Sequence, residues 1–404
     1  PNKENNVFQL VVQYGAGERE FPKLGYAAQL MNNAGIMGAY EPQELKEELS
    51  KLNATCHVTA DDDNLYIIME GYEATLPQAC QLLSRQILMP KLDEKQLARL
   101  KGSAMGMRQQ RKDNVSILNE ALRQYMLYGE KSDYIKELTD KEIYELQISE
   151  LTGDINRASN YEAKVFFTGT LPFDQVYDIL SKNLPLVANE RPSNSPQAKD
   201  MMPVTENTVY FLPNNDAEQA QIHLYIPMQK ADKKDDVLRS AFNQYFGLDF
   251  TGIVLNEIRE KRSMAYTAYA FVGTQGIAGK ASYLRGYIGT QNDKANDALD
   301  VLMGLVNDMP KNPERIDNIK SYLRQAMLTS HPSFRNKAME LVDLGYRGYT
   351  DDPAKENLPK VDALTFDDIV KFYEENIKGK PYCISIMGNP KDIDLKRLEK
   401  FGKV

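Results

Sequence analysis

Short apolar runs of strand length alternate with longer stretches whose apolar positions recur every three or four residues, and this succession runs twice along the chain. The first run, Val7-Phe-Gln-Leu-Val-Val-Gln-Tyr14, has the length and β-branched content of a buried strand. Helical periodicity follows at 24–33 and, with a charged opposite face, at 42–52. Strands are expected at 55–59 and 64–70, joined through Asp61-Asp62-Asp63, and helices at 76–88, 93–111 and 115–127. A strand running into Gly169 and a helix over 173–182 close the series.

The second series has strands at 208–212 and 221–227, helices at 235–245 and 253–262, and a strand pair at 265–272 and 280–288. Helices near 295–308, 312–328 and 334–346 lead to Tyr382-Cys-Ile-Ser-Ile-Met-Gly388 and a short helix. Strand, glycine and helix thus end both halves. Between them, Arg191-Pro-Ser-Asn-Ser-Pro-Gln-Ala-Lys-Asp200 is poor in apolar residues and rich in turn formers, which reads as a linker. The expected fold class is α+β: two tandem homologous domains over 1–190 and 205–404, joined by a linker at 191–204, each a mostly antiparallel sheet packed with helices.

Charge and composition narrow the function classes. A net charge of −8 argues against nucleic acid, whose phosphates need clustered Lys and Arg. No run of 18 apolar residues occurs, so no membrane span is expected. Three widely spaced cysteines, Cys56, Cys80 and Cys383, indicate neither a disulfide framework nor a Cys-rich zinc site. A Gly-x-Ser-x-Gly elbow is absent, so a serine hydrolase of that type is not supported. Asp61-Asp62-Asp63 lacks the alternating ligands and central glycine of a calcium loop and reads as a solvated turn. Gly273-Thr-Gln-Gly-Ile-Ala-Gly279 leads into a strand rather than a helix, which suits a hairpin and not a phosphate cradle.

One segment is more specific. Thr251-Gly-Ile-Val-Leu-Asn-Glu-Ile-Arg-Glu-Lys-Arg-Ser-Met-Ala-Tyr266 resembles the hallmark of the C-terminal half of insulinase/pitrilysin-family zinc metallopeptidases, where Arg-Glu and Ala-Tyr, four residues apart, join a helix to the next strand. Arg259, Glu260, Ala265 and Tyr266 match directly, and Thr251 stands where a small residue is usual. The turn Gly15-Ala-Gly-Glu-Arg-Glu20, the passage Leu52-Asn-Ala-Thr55, Met89-Pro-Lys-Leu92 and Leu364-Thr-Phe-Asp-Asp-Ile-Val370 are similar to further family passages, so the resemblance covers essentially the whole chain.

The resemblance implies a processing-peptidase-like fold, a peptide substrate, and chemistry that depends on a His-x-x-Glu-His helix after the first strand. Two imidazoles one turn apart hold zinc there, and the carboxylate polarises the attacking water. The corresponding stretch here, Gly25-Tyr-Ala-Ala-Gln-Leu-Met-Asn-Asn-Ala-Gly-Ile-Met-Gly38, contains no His and no Glu. The chain has three histidines, His57, His223 and His331, none with a second histidine within a helical turn. No metal ligand and no catalytic residue is therefore assigned within this chain, and zinc is expected in a complementary half.

By the same resemblance Arg259 and Tyr266 would contact peptide substrate, the tyrosine on the scissile carbonyl and the arginine nearby; by spacing alone they are a helix-end arginine and an ordinary strand tyrosine. His223 shares a strand face with Gln221 and Tyr225, a set that could touch peptide, although a half-exposed strand histidine is the expectation. Three functions stay open: the zinc-free C-terminal half of a bacterial metalloendopeptidase, a separate inactive subunit pairing with a zinc-bearing partner chain, or a peptide-binding scaffold without catalytic role. The chain begins Pro1-Asn-Lys-Glu-Asn-Asn6, with no initiator Met and no signal pattern, and is expected to be an excised or processed piece. Its compartment, bacterial cytoplasm or periplasm, is open.

Overall fold

A computed structural model describes residues 5–111, 114–184, 191–248, 250–330 and 332–404. Its contacts divide the chain into two compact units: the described residues within Pro1–Lys112, Glu137–Gln197 and Pro332–Val342, and those within Asp113–Lys136, Ala198–His331 and Asp343–Val404.

In the first unit the strands are β1 (Val7–Tyr14), β2 (Gly35–Ile36), β3 (Thr55–Ala60), β4 (Leu65–Tyr72), β5 (Pro90–Lys91) and β6 (Ala163–Thr168). The main sheet runs β3-β4-β1-β6 and is antiparallel throughout, while β2 and β5 form a small separate pair. Phe8, Leu10 and Val12 alternate onto one face of β1 and are buried with Leu24, Ala27 and Leu30 from helix Leu24–Met31 and Leu76, Ala79 and Leu83 from helix Leu76–Leu88. Asp61 makes the β3–β4 turn by accepting from the backbone of Asp63 (2.8 Å) and Asn64 (2.7 Å), and Arg19 pairs with Asp62 and Asp63. This is the expected turn, tied by an arginine.

The second unit holds β7 (Thr208–Pro213), β8 (Gln219–Lys230), β9 (Ala265–Thr274), β10 (Ala281–Gln291) and β11 (Cys383–Gly388) in the order β7-β11-β8-β10-β9. All neighbours are antiparallel except β7 and β11. One face packs on helices Asp236–Phe246, Ala295–Asn307 and Phe366–Asn376 through Ile222, Leu224, Ala270, Leu284 and Ile288. The last of these helices is capped by Thr365, which forms a capping box with Asp368.

Both units are built to one plan, down to a single side chain. In the first, Val58, Ile67 and Val12 face one another across β3, β4 and β1. In the second, Val272, Leu284 and Ile226 do the same across β9, β10 and β8. β3 and β9 are the edges, and an unpaired edge is costly when buried and adhesive when exposed. Each is closed at this column by an asparagine from the helix that follows the central strand. Asn32 Nδ2 donates to the Val58 carbonyl (2.8 Å) and Oδ1 accepts from its N–H (2.7 Å). Asn243 does the same to Val272 at 3.0 and 2.6 Å. The amide stands in for a neighbouring strand in both.

The boundaries differ from those expected. Helix Val115–Tyr128 lies in the first half of the sequence yet packs in the second unit, where Met126 and Leu127 are buried with Tyr225 and Cys383. It covers the sheet face opposite the helical core. Arg191, expected to open a linker, bridges Tyr161, and the Asn194 N–H donates to the Gly15 carbonyl (2.8 Å), so this segment is pinned to the first unit. Helix Ile148–Ala158, which the periodicity reading left out, also belongs there. The helix expected over 253–262 is a single turn, Ile253–Leu255, followed by a π turn over Asn256–Glu260.

Candidate functional site

The sharpest polar feature grows from that π turn. Val254, Leu255 and Ile258 are anchored in the core, which leaves Arg259 on the solvent side. Ser263 takes a left-handed conformation (φ 50°), its N–H bonding the Arg259 carbonyl at 2.8 Å, while the Met264 N–H reaches the Ile258 carbonyl at 3.0 Å. The chain therefore reverses within four residues and enters β9 at Ala265. The wider π turn and the tight reversal bring residues 259 and 266 side by side.

Tyr266 is 77% exposed, on a sheet whose other tyrosines are mostly covered. The Arg259 guanidinium lies 5.1 Å from the centre of its ring, in cation–π range. Glu257 is taken by Lys261 (2.6 Å) and Arg262 (2.5 Å). Glu260, 3.5 Å from Arg259 Nε, is its loose ionic partner. An exposed phenol beside a half-buried guanidinium presents two hydrogen-bond donors to a carbonyl or carboxylate. Such a pair suits binding an oxygen, or a charge developing on one, rather than nucleophilic attack.

The β9 edge beside this pair does not offer itself to an added strand at its centre. The Ala270 N–H is taken by the Gly247 carbonyl (3.0 Å) and Val272 by Asn243. Contact here must come through side chains.

His223 is placed differently from its expectation. It is 3% exposed, beneath helix Val115–Tyr128, and so is neither half-exposed nor able to touch a peptide in this structure. Its Nε2 lies 3.1 Å from Asn119 Oδ1, and Nδ1 has no partner among the described residues. Burial pushes its pKa down to about 3, and the Arg285 and Arg123 charges add to this, so the ring is neutral at neutral pH. Alternation assigned the face correctly; the covering helix comes from a part of the sequence more than 90 residues away, which no local pattern reveals. His57 is exposed on β3, and His331 lies outside the described residues.

The zinc chemistry of the resembling family does not fit here. Helix Leu24–Met31 buries Leu24, Ala27, Ala28, Leu30 and Met31, and Asn32 beyond it is committed to β3. Among the described residues no group of three or more His, Cys, Asp or Glu is disposed to hold a metal. The cysteines supply no nucleophile either: burial holds Cys56 and Cys80 up at about 12 and Cys383 at about 11.

The family model described as the peptidase M16 inactive domain matches residues 159–323. No curated protein matches the chain in sequence. Among solved structures, the chain is similar to a peptidase M16 inactive domain from Pseudomonas fluorescens, with a TM-score of 0.75 and 16% identity, covering 97% of this chain and 95% of that one. A mutant of the ferredoxin protease FusC, solved with Arabidopsis ferredoxin, is similar at TM-score 0.75 and 12% identity. The periplasmic protease PqqL from Escherichia coli is similar at 0.73 and 13%. The match covers 95% and 96% of this chain in these two cases, but only 42% of the FusC chain and 43% of PqqL.

Proposed function

We propose that this chain, whose residues 159–323 match the peptidase M16 inactive domain, is the peptide-holding, zinc-free half of a two-half metallopeptidase, acting through Arg259 and Tyr266. The observation that carries the reading is the pair itself, an exposed Tyr266 and a half-buried Arg259 held at 5.1 Å by a π turn and a left-handed serine. The inactive-domain match supports placing the catalytic zinc in a complementary half.

In this reading the complementary half binds zinc and activates water. The Tyr266 hydroxyl donates a hydrogen bond to the substrate carbonyl oxygen, and Arg259 steadies the neighbouring main chain. A preorganised donor aimed at a developing oxyanion contributes about 3 kcal/mol in favourable cases, roughly a hundredfold in rate. The decisive experiment mixes this chain with a zinc-bearing M16 half and follows cleavage of a quenched fluorescent peptide. Cleavage should rise with the chain present and fall about 10- to 100-fold with Tyr266→Phe or Arg259→Ala. No gain, or full gain with both variants, would end the assignment.

A second reading is a separate subunit that pairs with a zinc-bearing partner chain, rather than one half of a longer chain. Cleavage on mixing two separately produced chains supports it. Peptide binding without any stimulation would instead mark a scaffold.

A further inference from the structure

The outer face of β10 carries a second polar constellation, which Arg259 and Tyr266 leave unused. Alternation puts Tyr283, Arg285 and Tyr287 on the face opposite the helical core. Across the sheet Arg285 is flanked by Phe271 on β9 and Tyr225 on β8, and Tyr287 by Tyr269. Two glycines let the flanking tyrosines lie down away from the arginine. A Cβ at Gly289 would stand 2.9 Å from the Tyr287 hydroxyl, and one at Gly273 would stand 3.2 Å from the Tyr283 ring. The Tyr287 hydroxyl is tied to Gln221.

The guanidinium left between them is short of anionic partners. Arg285 Nη2 reaches the Tyr269 hydroxyl at 3.5 Å, and its buried Nε has no hydrogen-bond partner among the described residues. No carboxylate among those residues lies within ion-pair distance of it. Glu120, close enough to feel its charge, is engaged by Arg123 (2.6 Å) and Gln124 (3.1 Å). Glu120 is thus committed to Arg123 and leaves Arg285 unpaired among the described residues, in a chain whose net charge is −8. A half-buried cation without a counter-ion sacrifices hydration for nothing in return, unless a ligand supplies the anion.

We infer that Arg285 and Tyr269 form a carboxylate-binding site for an acidic side chain of an extended peptide, with Phe271 and Tyr287 taking apolar flanking residues. The guanidinium fork matches a carboxylate, and the phenol hydroxyl is a second donor beside it. Rings stand on both sides of the cation, so the peptide continues past it in both directions, which suits an internal Asp or Glu. That the occupant is a peptide rests on the function proposed above; the preference for an acid rests on Arg285 and Tyr269.

The test is fluorescence anisotropy on the purified full chain. Two labelled, acetylated and amidated unstructured peptides are compared, identical except for one central Glu or Gln between apolar residues. The Glu peptide should bind about tenfold more tightly or better, as a charge-assisted bond lost from a partly buried site requires. Arg285→Gln should abolish the difference, Arg285→Lys should retain part of it, and Tyr269→Phe should narrow it without changing the melting temperature. Arg259→Ala should weaken both peptides alike. Equal binding of the two peptides to the wild type overturns the inference and leaves the peptide-holding role standing. So does a preference undiminished in Tyr269→Phe and in folded Arg285→Gln. Failure of both peptides to bind overturns the peptide-holding role, and this site with it.

Discussion

Tyr266 and His223 occupy strands of one sheet and answer to opposite physics. Tyr266 stands in solvent, so Tyr266→Phe should change unfolding stability by less than about 0.5 kcal/mol while lowering assisted cleavage. A chemical denaturation curve separates the two effects. His223 is buried with its pKa lowered from 6.5 to about 3. Below about pH 6.5 the unfolded chain binds a proton there that the folded chain refuses, so stability is lost as pH falls from about 6.5 toward 3. Above that window the group contributes no pH dependence. One proton is worth at most about 1.4 kcal/mol per pH unit. Urea unfolding at pH 7, 6 and 5 should therefore show a shallower loss for His223→Gln than for the wild type. Equal slopes would mean that the imidazole is not buried in solution.

At the scale of elements, stability hinges on how edges and ends are finished. Asn243 closes the β9 edge with two hydrogen bonds to one buried residue, so Asn243→Leu strands a backbone N–H and a carbonyl. The expected cost is about 2–3 kcal/mol, read as a lower urea midpoint with an unchanged slope. Asn32→Leu should behave alike at β3, and a negligible effect in both would remove the edge-closing role. Thr365→Ala opens the capping box of helix Phe366–Asn376 and should cost about 1 kcal/mol by the same measurement. The threonine cap is legible in the sequence because capping is local: Thr365 and Asp368 stand three positions apart. Neither asparagine is, because its partner strand follows 26 residues on for Asn32 and 29 for Asn243, and nothing in the intervening sequence specifies that approach.

For the molecule as a whole, a chain without the zinc ligands should neither gain nor lose from the metal. A strong chelator is expected to leave the melting temperature unchanged, and the purified chain to hold zinc well below one equivalent. Stoichiometric zinc with proteolysis by this chain alone would contradict the family reading. Most strands and helices, the doubled plan and the missing His-x-x-Glu-His were all determined by the sequence itself. Apolar periodicity is a property of neighbouring residues, and a side chain that is not encoded cannot bind a metal. The Arg259–Tyr266 spacing was equally visible, although only the π turn and the left-handed Ser263 show how seven positions of separation become a 5.1 Å contact. Tertiary structure alone decided that helix Val115–Tyr128 would cover the second sheet, that His223 would be buried beneath it, and that Arg285 would be left without a carboxylate. These are long-range pairings, and which surface covers which depends on packing the whole chain at once, not on any window of it.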